Sequence, residues 1–138
     1  MAKYRTGLPQ TNGTRLLTDG GMETVMIFQE GVDLPLFASF DLLRTAEGRR
    51  RLSAYFDRYI PIAKRAGVGL LLESPTWRAS ADWAERLGLT AGDMVRINRE
   101  SIAFLEDVRA ANETETTPMV ISGCVGPRGD GYDPGTLM

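Results

Sequence analysis

Apolar residues in this chain occur in two kinds of segment, short continuous runs and longer stretches with helical spacing, and the two kinds alternate. Leu16-Leu17 is the first run, predicting a strand from Leu16 to Asp19, and leads into Thr18-Asp19-Gly20-Gly21-Met22-Glu23-Thr24. Val68-Gly69-Leu70-Leu71-Leu72-Glu73 and Met119-Val120-Ile121-Ser122 are the second and third; their continuous apolar character suits strands covered on both faces in a parallel sheet. Between the runs, apolar positions recur every three or four residues. Met22 to Gln29 predicts a short helix that stops at Gly31. Ala46 to Ala66 predicts a longer one, burying Leu52, Tyr55, Phe56, Tyr59, Ile60, Ala63 and Ala66 and closed by Gly67. Pro61 lies inside it and predicts a kink or break, because proline lacks the N–H and crowds the preceding turn.

Ser80 to Leu87 predicts a helix capped by Ser80 and stopped by Gly88. Thr90 with Asp93 three residues on has the form of a capping box, opening a helix that buries Met94, Ile97, Ser101, Phe104, Leu105 and Val108. Leu34 to Leu43 is apolar without a period and receives no assignment. Residues 112–117 read as a loop, 123–131 as a glycine-rich loop, and 1–14 as a flexible N-terminal arm.

The order strand, helices, strand, helices, strand argues for a parallel α/β fold, in which ligands collect at the carboxyl ends of the strands. That rule gathers Asp19 with Gly20 and Gly21, Glu73 with Ser74 and Thr76, and Ser122 with the glycine-rich loop on one face. The paired glycines allow positive φ and a close approach of ligand to the main chain. A ligand amine could be held by the Asp19 carboxylate, and a ligand carboxylate by N–H groups at the start of the next helix. A plain turn with a solvated aspartate is the alternative reading of the same seven residues. Neither the Walker pattern nor the dinucleotide glycine fingerprint follows any of the three runs.

Composition narrows the chemistry. The 138 residues carry 16 basic and 18 acidic side chains, a net charge of -2, which gives no reason to expect nucleic acid or an anionic membrane as partner. Arg49-Arg50-Arg51 could hold a phosphate but reads better as a solvated helix face. There is no histidine, so the commonest general base and metal ligand are missing, and the single cysteine, Cys124, cannot form a disulfide within the chain. No leader-like or membrane-length apolar stretch is present, and a cytoplasmic location is expected.

Three loops taken together resemble a known family. Leu17-Thr18-Asp19-Gly20-Gly21-Met22, Pro75-Thr76-Trp77-Arg78-Ala79-Ser80 and Ser122-Gly123-Cys124-Val125-Gly126-Pro127-Arg128-Gly129-Asp130 look like the first-, second- and third-strand loops of homocysteine S-methyltransferases, in the same order and spacing. The resemblance runs from about Arg15 to the end of the chain. It implies a (β/α)8 TIM barrel, of which residues 15–138 supply about three N-terminal β/α units. It also implies transfer of a methyl group from an onium donor such as S-methylmethionine or betaine to the thiol of homocysteine, giving methionine. Asp19 would bind the substrate amino group, Gly20 and Gly21 would admit substrate to the backbone, Glu73, Thr76 and Arg78 would line the same mouth, and Ser122 would border the pocket.

Family members activate the thiol on zinc held by one cysteine and a later adjacent pair, all in the second half of the barrel. None of those positions exists in this chain, so zinc is expected in a full-length parent, and no catalytic or metal-binding residue is assigned here. Cys124 reads as a small loop residue. Glu23 stands where many members carry glycine, and Trp77-Arg78 where a tyrosine-containing pair is more usual, pointing to a subfamily with another thiol or onium substrate. Tyr132 to Met138 resembles the middle of a family loop. The chain is therefore expected to be the N-terminal part of a longer enzyme, inactive alone, and to form oligomers or pair with a complementing C-terminal segment. Two other readings stand beside this one: a non-catalytic half-barrel that binds a small amino acid or assembles with a complementary chain carrying the cysteines, and an unrelated α/β enzyme using Asp19 and Glu73 as an acid/base pair.

Overall fold

The computed structural model describes residues 3–133; residues 1 and 2 of the N-terminal arm, and 134–138 of the third loop, lie outside the described residues. Strands β1 (Leu16–Leu17), β2 (Gly69–Glu73) and β3 (Met119–Ser122) form one parallel sheet in the order β1-β2-β3. Leu16 pairs with Gly69, and β2 pairs with β3 from Leu70 opposite Met119 to Glu73 opposite Ser122. Gly69 fits because the sheet is closed tightly around it: a Cβ there would lie 2.3 Å from Leu16 Cδ2 and 2.7 Å from the Pro118 carbonyl oxygen. The alternation read from the sequence is thus an α/β arrangement with parallel strands, although the first strand ends at Leu17 and leaves Thr18 and Asp19 to the loop.

After the double glycine, α1 (Met22–Thr24) passes directly into a π-helical turn, Val25–Gln29, and Gly31 adopts a left-handed φ of 64°. The apolar stretch without a period forms two 3₁₀ turns, Pro35–Phe37 and Ser39–Arg44, which bury Ser39, Phe40 and Leu43. Leu36 and Phe37 both have φ of 55°, a conformation that no simple periodicity accommodates.

Helix α2 (Ala46–Ala66) begins at Thr45, whose hydroxyl accepts from the Gly48 N–H at 3.0 Å, and ends at Gly67 with φ 61°. It buries Leu52, Tyr55, Phe56, Ile60 and Ala63, whereas Tyr59 is half-buried and Ala66 exposed. The helix runs unbroken through Pro61. Both Pro61 and Asp57, whose carbonyl loses its helical donor, are exposed, so water can replace the missing bond. The arginine run forms ion pairs along this helix and across to its neighbour, Arg51 with Glu47 at 2.9 Å and Arg49 with Glu100 at 2.7 Å.

Helix α3 (Ala81–Arg86) starts after Ser80, but Ser80 makes no capping hydrogen bond, and its buried hydroxyl has no partner. Helix α4 (Ala91–Asn112) starts with the full capping box, Asp93 N–H to Thr90 Oγ1 at 3.1 Å and Thr90 N–H to Asp93 Oδ2 at 3.0 Å. The Thr90 hydroxyl bond holds the Asp93 carboxyl down at about 2. The buried face of α4 is the one expected, Met94, Ile97, Ser101, Phe104, Leu105 and Val108. With Leu70, Leu72 and Met119 of the sheet and Phe56 of α2, these apolar residues join one core cluster. Lys3 and Tyr4 both bond to Glu113 just beyond α4. No helix among the described residues is long and apolar enough to cross a membrane.

Candidate functional site

At the carboxyl end of the sheet the loops after the three strands enclose a recess of about 210 Å³. Asp19, Gly20, Gly21 and Glu23 line it from the first loop, Glu73, Ser74, Pro75 and Trp77 from the second, and Cys124 from the third. That volume suits a small amino acid and falls below the roughly 300–1,000 Å³ of pockets that take drug-sized ligands. Larger hollows lie elsewhere, one of about 350 Å³ between the N-terminal residues, α4 and β3, and one of about 520 Å³ at the amino ends of the strands. Neither gathers residues from all three strand-end loops.

The recess is acidic and uncompensated. Among the described residues no lysine or arginine forms an ion pair with Asp19, Glu23 or Glu73. Burial raises the Asp19 carboxyl to about 6, against a hydrogen bond from Tyr55 that favours the charged form, and the negative charges of Glu73 and Glu23 raise it further. Burial, with Glu73 as hydrogen-bond partner, pushes the Cys124 thiol up to about 12, so it is protonated at neutral pH and is no thiolate nucleophile. Glu23 is held from outside the recess by Ser39, whose hydroxyl donates to it at 2.6 Å.

Two small hydrogen-bonded clamps shape the loops. Tyr55 and Tyr59, one turn apart on α2, grip the Gly20 peptide: the Gly20 N–H donates to Tyr59 Oη at 3.2 Å, and Tyr55 Oη donates to the Gly20 carbonyl at 3.0 Å. Ser74 and Thr76 grip Cys124 in the same manner. The Cys124 N–H donates to Ser74 Oγ at 2.9 Å, Ser74 and Thr76 share a bond of 2.6 Å, and Thr76 donates to the Cys124 carbonyl at 2.8 Å. The paired glycines serve close contact here, not left-handed backbone. Gly21 has φ −80°, neither glycine has positive φ, and a Cβ on Gly20 would lie 3.1 Å from Tyr59 Oη.

Of the residues singled out in the sequence, Asp19, Gly20, Gly21 and Glu73 meet in the recess, while Thr76, Arg78 and Ser122 are not among its lining residues. Thr76 is buried under the Cys124 peptide. Arg78, 6% exposed, lies 3.8 Å from the Trp83 ring centroid and 4.7 Å from that of Trp77, and donates to the Leu36 carbonyl at 2.8 Å and to Asp130 at 2.9 Å. It ties together the loops after all three strands. Ser122 accepts the Ser74 N–H on its carbonyl at 2.9 Å. Sequence reading missed Cys124 as a lining residue and the two tyrosines as loop clamps. The tyrosines' spacing shows only a buried helix face, and a lone cysteine carries no signal.

The residues present do not fit zinc. The chain has one cysteine and no histidine, and among the described residues no group of three His, Cys, Asp or Glu side chains is placed to share a metal. Comparison with curated proteins and with solved structures gives no significant match. The model of the homocysteine S-methyltransferase family matches residues 16–137, which include all three recess-forming loops. The chain belongs to the homocysteine S-methyltransferase family.

Proposed function

We propose that this chain forms the amino-acid end of the site in a methyltransferase that moves a methyl group from an onium donor to the thiol of homocysteine. One observation carries this reading: Asp19, Glu23 and Glu73, none of which forms an ion pair among the described residues, line a recess of about 210 Å³ at the carboxyl edge of the sheet. Such a site attracts a small cation, and the ammonium group of an amino acid supplies one, with a charge-assisted hydrogen bond to Asp19. The substrate carboxylate would be taken by the first N–H groups of α1, whose Met22 and Glu23 line the recess. Glu73 and Cys124 line the same recess.

Methyl transfer forms a new sulfur–carbon bond as the donor's onium bond breaks, and the thiol proton must leave. Among the described residues no set of side chains is placed to hold a metal that would acidify the thiol, so any zinc would be held by groups other than these. The three parallel strands would be the opening strands of a (β/α)8 barrel, completed by further strands or by a complementing segment. A reducing compartment such as the cytoplasm suits a thiol acceptor. The poor fit to zinc favours a second reading, in which the chain binds the amino acid without catalysing transfer.

Calorimetric titration of the 138-residue chain with L-homocysteine at pH 7.5, in a non-thiol reductant, tests the reading. Asp19→Asn should weaken binding by about tenfold or more, the size of a lost charge-assisted bond. Equal affinity in the two proteins would remove Asp19 from recognition. The metal-stripped and zinc-refilled chain, given S-methylmethionine, should form no methionine; turnover would show that the chemistry resides here after all.

A further inference from the structure

Arg78 is the only buried charged residue among the described residues. Its guanidinium lies 3.8 Å from the Trp83 ring centroid, 4.7 Å from that of Trp77 and 5.9 Å from that of Phe37, so three rings box it in. Two N–H groups reach acceptors in other loops, the Leu36 carbonyl at 2.8 Å and Asp130 Oδ1 at 2.9 Å, while Nε is buried without a partner. Burying a charge is costly, and Arg78 itself does not line the recess. The groups it holds do reach it. Trp77, its chain neighbour and stacking partner, is a lining residue. Leu36 and Phe37, both at φ 55°, form a left-handed turn that side chains disfavour, and two residues further on Ser39 donates to Glu23 of the recess at 2.6 Å. Asp130 also accepts the Tyr132 N–H at 3.0 Å, and the Tyr132 ring packs edge-on against Trp77 with centroids 5.6 Å apart.

We propose that Arg78 is a positioning residue for the recess: from its aromatic box it fixes the Trp77 wall directly, Glu23 through the Leu36–Phe37 turn and Ser39, and the third loop through Asp130. The positioning itself needs no ligand, and only its effect on homocysteine affinity rests on the amino-acid reading above. Lysine cannot take over the role. A planar guanidinium meets rings with its faces while its edge donates to two acceptors, whereas an ammonium is a point donor without a flat face.

Trp77 and Trp83 are the two tryptophans of the chain, so tryptophan emission reads the box directly. In Arg78→Ala of the 138-residue chain, acrylamide should quench that emission about twofold more strongly than in the parent, and methylguanidinium at about 10 mM should restore at least half of the difference, where methylammonium does not. Arg78→Lys should resemble Arg78→Ala. Parent-like quenching in both variants overturns the proposal, and so does quenching that methylguanidinium restores no better than methylammonium. Should neither variant fold, Asp130→Ala, at a half-buried position, removes the tie to the third loop alone; it should raise quenching about 1.5-fold, and unchanged quenching there overturns the proposal equally. Calorimetric titration with L-homocysteine separates the two readings. Arg78→Lys should bind about fivefold more weakly than the parent, and equal affinity would overturn the positioning role. If Asp19→Asn binds like the parent while the quenching and its rescue appear, amine recognition fails and the arginine box stands.

Discussion

Asp19 destabilises the protein that it equips for binding. Its carboxyl titrates near 6 in the folded chain and near 3.8 when unfolded. Between these values the folded state binds more protons, so stability falls as pH rises through the window and stays lower above it. Asp19→Asn is therefore expected to raise the free energy of unfolding in urea at pH 7.5, on the order of 1 kcal/mol after allowance for solvent at the half-exposed site. The gain should shrink toward pH 4; a variant less stable than the parent at pH 7.5 would contradict it. Gly126 shows the opposite kind of constraint. A Cβ there would lie 1.8 Å from the Trp77 carbonyl oxygen, a backbone atom that cannot yield, so Gly126→Ala should cost about 3 kcal/mol in the same assay. Asp19 and Glu73 were legible in the sequence because each follows an apolar run. The contacts of Thr76 and Arg78 were not, because they depend on residues 42 to 52 positions away.

Elements with a local chemical signal emerged as read. Thr90 with Asp93 marks the start of α4, and six apolar or small positions give its buried face. Elements set by tertiary packing did not. The stretch from Leu34 to Leu43 folds as two 3₁₀ turns, and its first turn is held where Arg78 reaches the Leu36 carbonyl. Ser80 has the right identity for a cap, but its hydroxyl is buried without a partner. At Pro61 the steric rule overstated the damage, because Pro61 and Asp57, the residue whose carbonyl loses its donor, both lie on the exposed side of α2. Pro61→Ala restores the helical N–H and should raise stability by about 1–2 kcal/mol, the helix gain partly offset by greater freedom of the unfolded chain. Thermal unfolding checks this, and a lower Tm in the variant would show that the ring itself is needed for packing.

Across the whole molecule, a three-stranded parallel sheet has two outer edges, and no strand among the described residues pairs with the far sides of β1 or β3. Open edges with apolar flanks promote association, so sedimentation should show an apparent mass that rises with concentration, while a strict monomer over the full range would argue that the edges are covered. The α/β class and the placing of the recess at the strand ends followed from the alternation of segments. The recess itself needed the folded structure, since its walls come from three loops and its clamps from α2. The negative charge of that recess is what would select an amino-acid ligand. The decisive measurement compares the affinity of the chain for L-homocysteine with that for its des-amino analogue, 4-mercaptobutanoate, at pH 7.5 and pH 5. The ammonium group should confer about a tenfold preference at pH 7.5, diminished at pH 5 as Asp19 is protonated. Equal affinity for the two ligands at pH 7.5 would contradict the assignment of this site to an amino-acid substrate.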